Sequence, residues 1–170
     1  GSTDLYRELG DGNALGLVHT CFEALFTAFA PRGRIVKTIG DSVMAAFPTG
    51  TAALQAAAAG LERIRSACRH PKTGEPLQIR MGIHRGPALV VPVNGINDYF
   101  GQTVNLAARI ESAASPSQCL VSAAVLDDPD ARTLFDELAG RPSFAASGAE
   151  DIQPRGIART VTVHGLSLAS

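Results

Sequence analysis

Three side chains are suited to chemistry on a phosphate ester: a carboxylate at residue 41 and an amide and a guanidinium at residues 105 and 109. Asp41 follows Gly40 between two short apolar runs, which puts it at the tip of a predicted hairpin. Backbone there can approach a ligand closely, and an exposed carboxylate suits a hard cation such as Mg²⁺. The same Gly-Asp step is also an ordinary turn. Asn105 and Arg109 stand at i and i+4, on one face of a predicted helix. So placed, they can clamp a phosphoryl group and its attacking oxygen; a solvent-facing pair is the plain alternative. Lys37 lies four residues before Asp41 on the same strand. Arg80 and His84 share one strand face, and Asp98 precedes Tyr99-Phe100-Gly101 at a turn or helix start. Taken singly, these residues specify nothing.

The elements that must hold them are readable from periodicity. Leu5 to Phe29 repeats apolar residues at a 3–4 spacing, a helix in one or two pieces with a break at Gly10–Gly12. Arg34 to Ile39 and Ser42 to Phe47 flank Gly40-Asp41 as a hairpin. Thr51 to Cys68 is an alanine-rich helix. Leu77 to His84 alternates as a half-buried strand, and Pro87 to Val93 is a second apolar run, which predicts a hairpin through Arg85-Gly86. Gly101 to Ala114 reads as helix, Gln118 to Val121 as a short strand and Leu126 to Leu138 as a short helix. Arg141 to Gly148 reads as loop, and Thr160 to His164 as a terminal strand. This order predicts an α+β protein: an antiparallel-rich sheet with helices laid on it.

Composition bounds the function. The chain has 170 residues, the size of one domain, with 45% hydrophobic and 18% charged residues, which argues against intrinsic disorder. Fifteen basic residues against 16 acidic ones give a net charge of −1, so no global field favours nucleic acid or a membrane surface. Cys21, Cys68 and Cys119 form no CxxC pair and read as small buried apolar residues in a reducing compartment. There is no apolar run long enough for a membrane span and no signal-peptide pattern, so the segment is expected to be cytoplasmic. Phe22, Phe26 and Phe29 sit at helical spacing and read as core or dimer contacts.

In order, the motifs resemble a known family. Lys37-Thr38-Ile39-Gly40-Asp41-Ser42, then Arg80-Met81-Gly82-Ile83-His84-Arg85-Gly86, then Asp98 through Ile110 (DYFGQTVNLAARI) resemble the class III nucleotidyl cyclase catalytic domain. The resemblance covers nearly the whole chain. It implies a ferredoxin-like α/β sandwich in a single domain, 1–170. It also implies conversion of ATP to 3′,5′-cyclic AMP and pyrophosphate, the ribose 3′-oxygen attacking the α-phosphorus with help from two divalent cations, Mg²⁺ or Mn²⁺. By resemblance, Asp41 is a metal ligand, Asn105 orients the ribose and Arg109 stabilises transition-state charge. Arg80 binds phosphate, and Lys37 with Asp98 reads the purine: an ammonium can address adenine N1 and a carboxylate can accept from the N6 amine. Guanine presents the reverse pattern, which favours ATP. Pro154-Arg155-Gly156-Ile157 resembles the family's triphosphate-binding Lys-Gly segment, with arginine in place of lysine.

The family's site forms between two antiparallel protomers, so a C2 homodimer with interfacial sites is implied, as the output of an upstream sensor or regulatory domain. A guanylate cyclase and a non-catalytic cyclase-homology module, dimerising or binding nucleotide, are the alternatives. One departure stands out. The family's first metal aspartate ends its first strand, in a pattern whose tail Gly1-Ser2-Thr3 resembles; the aspartate would fall two residues before residue 1. The domain is therefore expected to be N-terminally truncated, and these 170 residues alone inactive or nearly so.

Overall fold

The computed structural model describes residues 2–93 and 95–169. Gly1, which opens the Gly1-Ser2-Thr3 tail, lies outside them. Two helices, α1 (Ser2–Leu9) and α2 (Asp11–Phe29), part at Gly10, whose φ of +76° a residue with a Cβ adopts only with strain. Strands β1 (Arg34–Ile39) and β2 (Ser42–Ala46) form the expected antiparallel hairpin, Ile39 opposite Ser42. Gly40 holds φ +60° at the first turn position, the conformation a glycine-led two-residue turn demands. Helix α3 (Gly50–Ala67) is capped by Thr49, whose hydroxyl accepts from the Ala52 amide at 3.1 Å. Its alanines serve packing: Ala53, Ala56, Ala57 and Ala58 are all buried.

The remaining elements are β3 (Arg80–Ile83), β4 (Leu89–Val93), β5 (Ile96–Phe100), α4 (Gln102–Ala113), β6 (Gln118–Ser122), α5 (Ala123–Leu126), α6 (Pro129–Ala139), β7 (Phe144–Ile152) and β8 (Val161–Leu168). Four strands form a sheet in the order β3-β6-β8-β7, β3 parallel to β6 and the other pairs antiparallel. Alternation along the central strands divides the core. Cys119, Val121 and Leu166 meet Leu54, Leu61, Val125, Phe135 and Leu138 on one side. On the other, Leu120 and Val163 meet Leu106 and Ile110 of α4. Buried on both sides, the centre of β6, Cys119-Leu120-Val121, is an unbroken apolar run. Burial pushes the Cys119 thiol up to about 12, so it packs as a small apolar group. Among the described residues, β2 and β3 each keep one edge without a ladder partner.

The structure corrects four of the expected elements. The run 87–93 does not pair back through Arg85-Gly86. It pairs with β5, Leu89 opposite Phe100 and Val93 opposite Ile96. The sequence carries Asn94-Gly95 between them, and Gly95 at φ +77° supplies the turn. The expected strand 77–84 narrows to Arg80–Ile83. The segment read as loop, 141–148, enters β7, which pairs with β8 from Phe144–Leu168 to Ile152–Val161. Its small and acidic residues suit an exposed edge and hide its strand character. The short helix expected at 126–138 is α6, which begins three residues later, where Asp128 caps the Asp130 amide at 3.1 Å and Pro129 opens the helix. No described helix is long and apolar enough to cross a membrane.

Candidate active site

Hairpin β1–β2 lies against hairpin β4–β5, and the contact brings together two residues 61 apart in sequence. Lys37 Nζ sits 2.5 Å from Asp98 Oδ2. The other oxygen, Asp98 Oδ1, accepts from the Tyr99 amide at 2.7 Å, and the ammonium stands 5.3 Å above the centre of the Phe100 ring. The Lys37 ammonium holds the Asp98 carboxyl below its ordinary 3.8; burial opposes this and the Tyr99 amide assists. Because the folded value is depressed, the pair's contribution to stability is complete above the unfolded pKa and fades as pH falls through the folded one. An NMR titration of the Asp98 carboxyl is expected to find a pKa below 3.8 that climbs in Lys37→Ala. A value indifferent to that substitution would contradict the pairing.

From Asp98 the chain runs directly into α4. Gly101 makes the corner at φ +125°, and its carbonyl accepts from the Asn105 amide at 3.1 Å. Leu106 and Ile110 anchor the inner face of the helix on the sheet, which leaves Asn105 and Arg109 exposed on the outer face. They line a cleft of about 420 Å³ with Ala108, Arg155, Gly156 and Ile157. The far wall is the segment between β7 and β8, held to α4 by Ile157, which packs on the Leu106–Ile110 cluster. No acidic side chain lines the cleft, and among the described residues neither Arg109 nor Arg155 has a carboxylate partner. Two unneutralised guanidinium groups and an amide around one cleft favour an anionic ligand with several oxygens.

Four candidates lie outside that cleft: the Lys37–Asp98 pair on the two hairpins, Asp41 and Arg80. Asp41 is exposed at the β1–β2 tip. Arg80 opens β3 with Nε 3.5 Å from Glu111 Oε1 of α4. A single carboxylate does not make a two-ion site, and among the described residues no three His, Cys, Asp or Glu cluster to hold a metal. The residues present therefore do not fit a pair of cations by themselves. His84 is committed elsewhere: its Nδ1 lies 2.8 Å from Ser122 Oγ, and burial, then the Arg159 charge, lowers its pKa.

Sequence reasoning missed Phe100 beneath Lys37 and Glu111 beside Arg80. Phe100 was findable, because it lies two residues from Asp98 and so on the same strand face. No local spacing announces Glu111, which depends on how α4 crosses β3.

Fold and cleft together define a class. The chain superposes on adenylate cyclases from Trypanosoma brucei in their monomeric state with a TM-score of 0.72 at 23% identity, covering 99% of this chain and 88% of that one. The fold is that of cyclase catalytic domains. Residues 7–153 match the adenylate and guanylate cyclase catalytic domain, and the chain belongs to that family. Guanylate cyclase soluble subunit beta-2 of Homo sapiens is 36% identical over 119 residues, which cover 65% of this chain and 19% of that protein. Putative adenylate cyclase 3 of Rhizobium meliloti is 31% identical over 122 residues, 72% of this chain and 19% of that protein. The chain thus spans about a fifth of the length of these relatives.

Proposed function

We propose that the chain is the catalytic module of an adenylate cyclase, forming 3′,5′-cyclic AMP and pyrophosphate from ATP. The observation that carries this reading is the cleft where Asn105 and Arg109, on a helix that starts just after Asp98, face Arg155 across from it. Arg155 and Arg109 bind the polyphosphate, and Asn105 orients the ribose so that its 3′-oxygen faces the α-phosphorus. Arg109 then takes up the charge that develops as the new P–O bond forms and the bond to pyrophosphate breaks. Relatives include both adenylate and guanylate cyclases; in this reading Lys37 and Asp98 choose the purine. With them in place the edge presented suits adenine, N1 facing the ammonium and N6 the carboxylate.

The complete site needs a second copy of the chain. Asp41 and Arg80 of one protomer face the cleft of its mate. Hairpin β4–β5 supports such pairing. Leu89, Val90, Val91, Val93, Ile96 and Phe100 all stand exposed on it, Leu89 at 69%. Apolar surface so concentrated marks a protein interface. The module works in the cytoplasm as the output of an upstream sensor or regulatory domain, with no nucleic-acid partner and no membrane insertion of its own.

A side-by-side turnover assay of the full-length protein on ATP and GTP, in Mg²⁺ and in Mn²⁺, tests the reading. Cyclic AMP is expected as the dominant product; cyclic GMP in excess, or neither product, contradicts it. The double substitution Lys37→Glu with Asp98→Cys is expected to move the ATP/GTP ratio toward GTP by about tenfold or more, since each mispaired purine edge forfeits a buried hydrogen bond. An unchanged ratio would remove these two residues from purine recognition.

A further inference from the structure

We infer that Gln153 is a positioning residue that holds Arg155 in the cleft; this rests on the cyclase reading above. Residues 154–157 form a tight turn. The Ile157 amide donates to the Pro154 carbonyl at 3.0 Å, and Gly156, third in the turn, has φ +79°. That is the type II pattern, in which the second residue, here Arg155, stands at the exposed corner. The bond within the turn fixes its curvature but not its tilt toward α4. Gln153 supplies the second tie. Its Nε2 donates to the Ile157 carbonyl at 2.6 Å, and its Oε1 accepts from Thr160 Oγ1 at 3.4 Å. One side chain thus joins the residue before the turn, the residue that ends it and the residue before β8. Ile157, held in this way, packs on Leu106 and Ile110, the inner side of the helix whose outer side carries Asn105 and Arg109. The distance between Arg155 and Arg109 is therefore set through Gln153. Two like charges facing one cleft repel when no anion is present, and a loosened turn lets Arg155 swing to solvent.

The test is equilibrium binding to the full-length protein of a non-cyclisable ATP analogue and of AMP, which lacks the β- and γ-phosphates. Gln153→Ala is expected to weaken the ATP analogue about tenfold, as when a single charge-assisted hydrogen bond is removed. AMP affinity and the melting temperature are expected to stay where they are. On an Arg155→Ala background, Gln153→Ala is expected to add nothing, because both act through the same guanidinium. Equal weakening of ATP analogue and AMP, an unchanged ATP affinity in Gln153→Ala beside a weakened Arg155→Ala, or full additivity of the two substitutions overturns the inference. If Arg155→Ala itself leaves ATP binding intact, the cleft reading fails and the inference falls with it.

Discussion

Replacing Arg109 with alanine is expected to lower the cyclase turnover number by about 10²–10³-fold, the range found when one preorganised transition-state donor is removed. The side chain is exposed on the outer face of α4 and has no ion-pair partner among the described residues, so its removal leaves the packing of Leu106 and Ile110 untouched. The melting temperature should therefore not move, and the loss should fall on kcat more than on KM. Arg109→Lys restores charge but not the planar fork, so it should recover only part of the rate. Steady-state kinetics on the full-length protein checks this. A turnover number within a few-fold of the unaltered enzyme would place the developing charge elsewhere.

The second large effect lies under the same helix. A Cβ on Gly82 of β3 would stand 2.3 Å from the Glu111 amide nitrogen, 2.6 Å from the Ala107 carbonyl oxygen and 2.8 Å from Glu111 Cα. All three atoms are backbone, so no side-chain rotation relieves the clash; β3 or α4 has to move. Gly82→Ala is expected to cost about 3 kcal/mol, the upper range for overpacking a close contact. In a domain of this size that corresponds to a drop of roughly 6–12 °C in melting temperature. Because α4 carries Asn105 and Arg109 opposite that contact, activity should fall as well, even well below the transition. Urea and thermal unfolding of the 170-residue chain measure the first effect. A melting temperature unchanged to within about a degree would mean that β3 and α4 are not packed this closely.

What the sequence revealed and what it hid separate along one physical line. The β1–β2 hairpin and the shared face of Asn105 and Arg109 were legible, because a two-residue glycine turn and a helical repeat are written in adjacent residues. The partner of strand 87–93 was misread, because two glycine-bearing dipeptides competed for the turn. Gly86 does something else: a Cβ there would lie 2.7 Å from Thr103 Oγ1, which donates to the Pro87 carbonyl, so the segment crosses close over the start of α4 instead of reversing. Strand β7 was hidden because an exposed edge strand of alanine, serine, glycine and acids carries no apolar alternation. The Lys37–Asp98 contact and the Arg80–Glu111 pair depend on tertiary placement that no spacing encodes. The purine, ribose and phosphate roles come from resemblance to a family; the geometry adds which of those side chains share a cleft.

The most direct measurement mixes two inactive variants of the full-length protein, Asp41→Asn and Arg109→Ala, under conditions where protomers exchange. If each site draws the Asp41 carboxylate from one chain and its α4 helix from the other, half the dimers are mixed and each mixed dimer holds one intact site, so activity returns to about a quarter of the unaltered level. Formation of mixed dimers with no recovery of cyclic nucleotide synthesis would contradict a site shared between two copies.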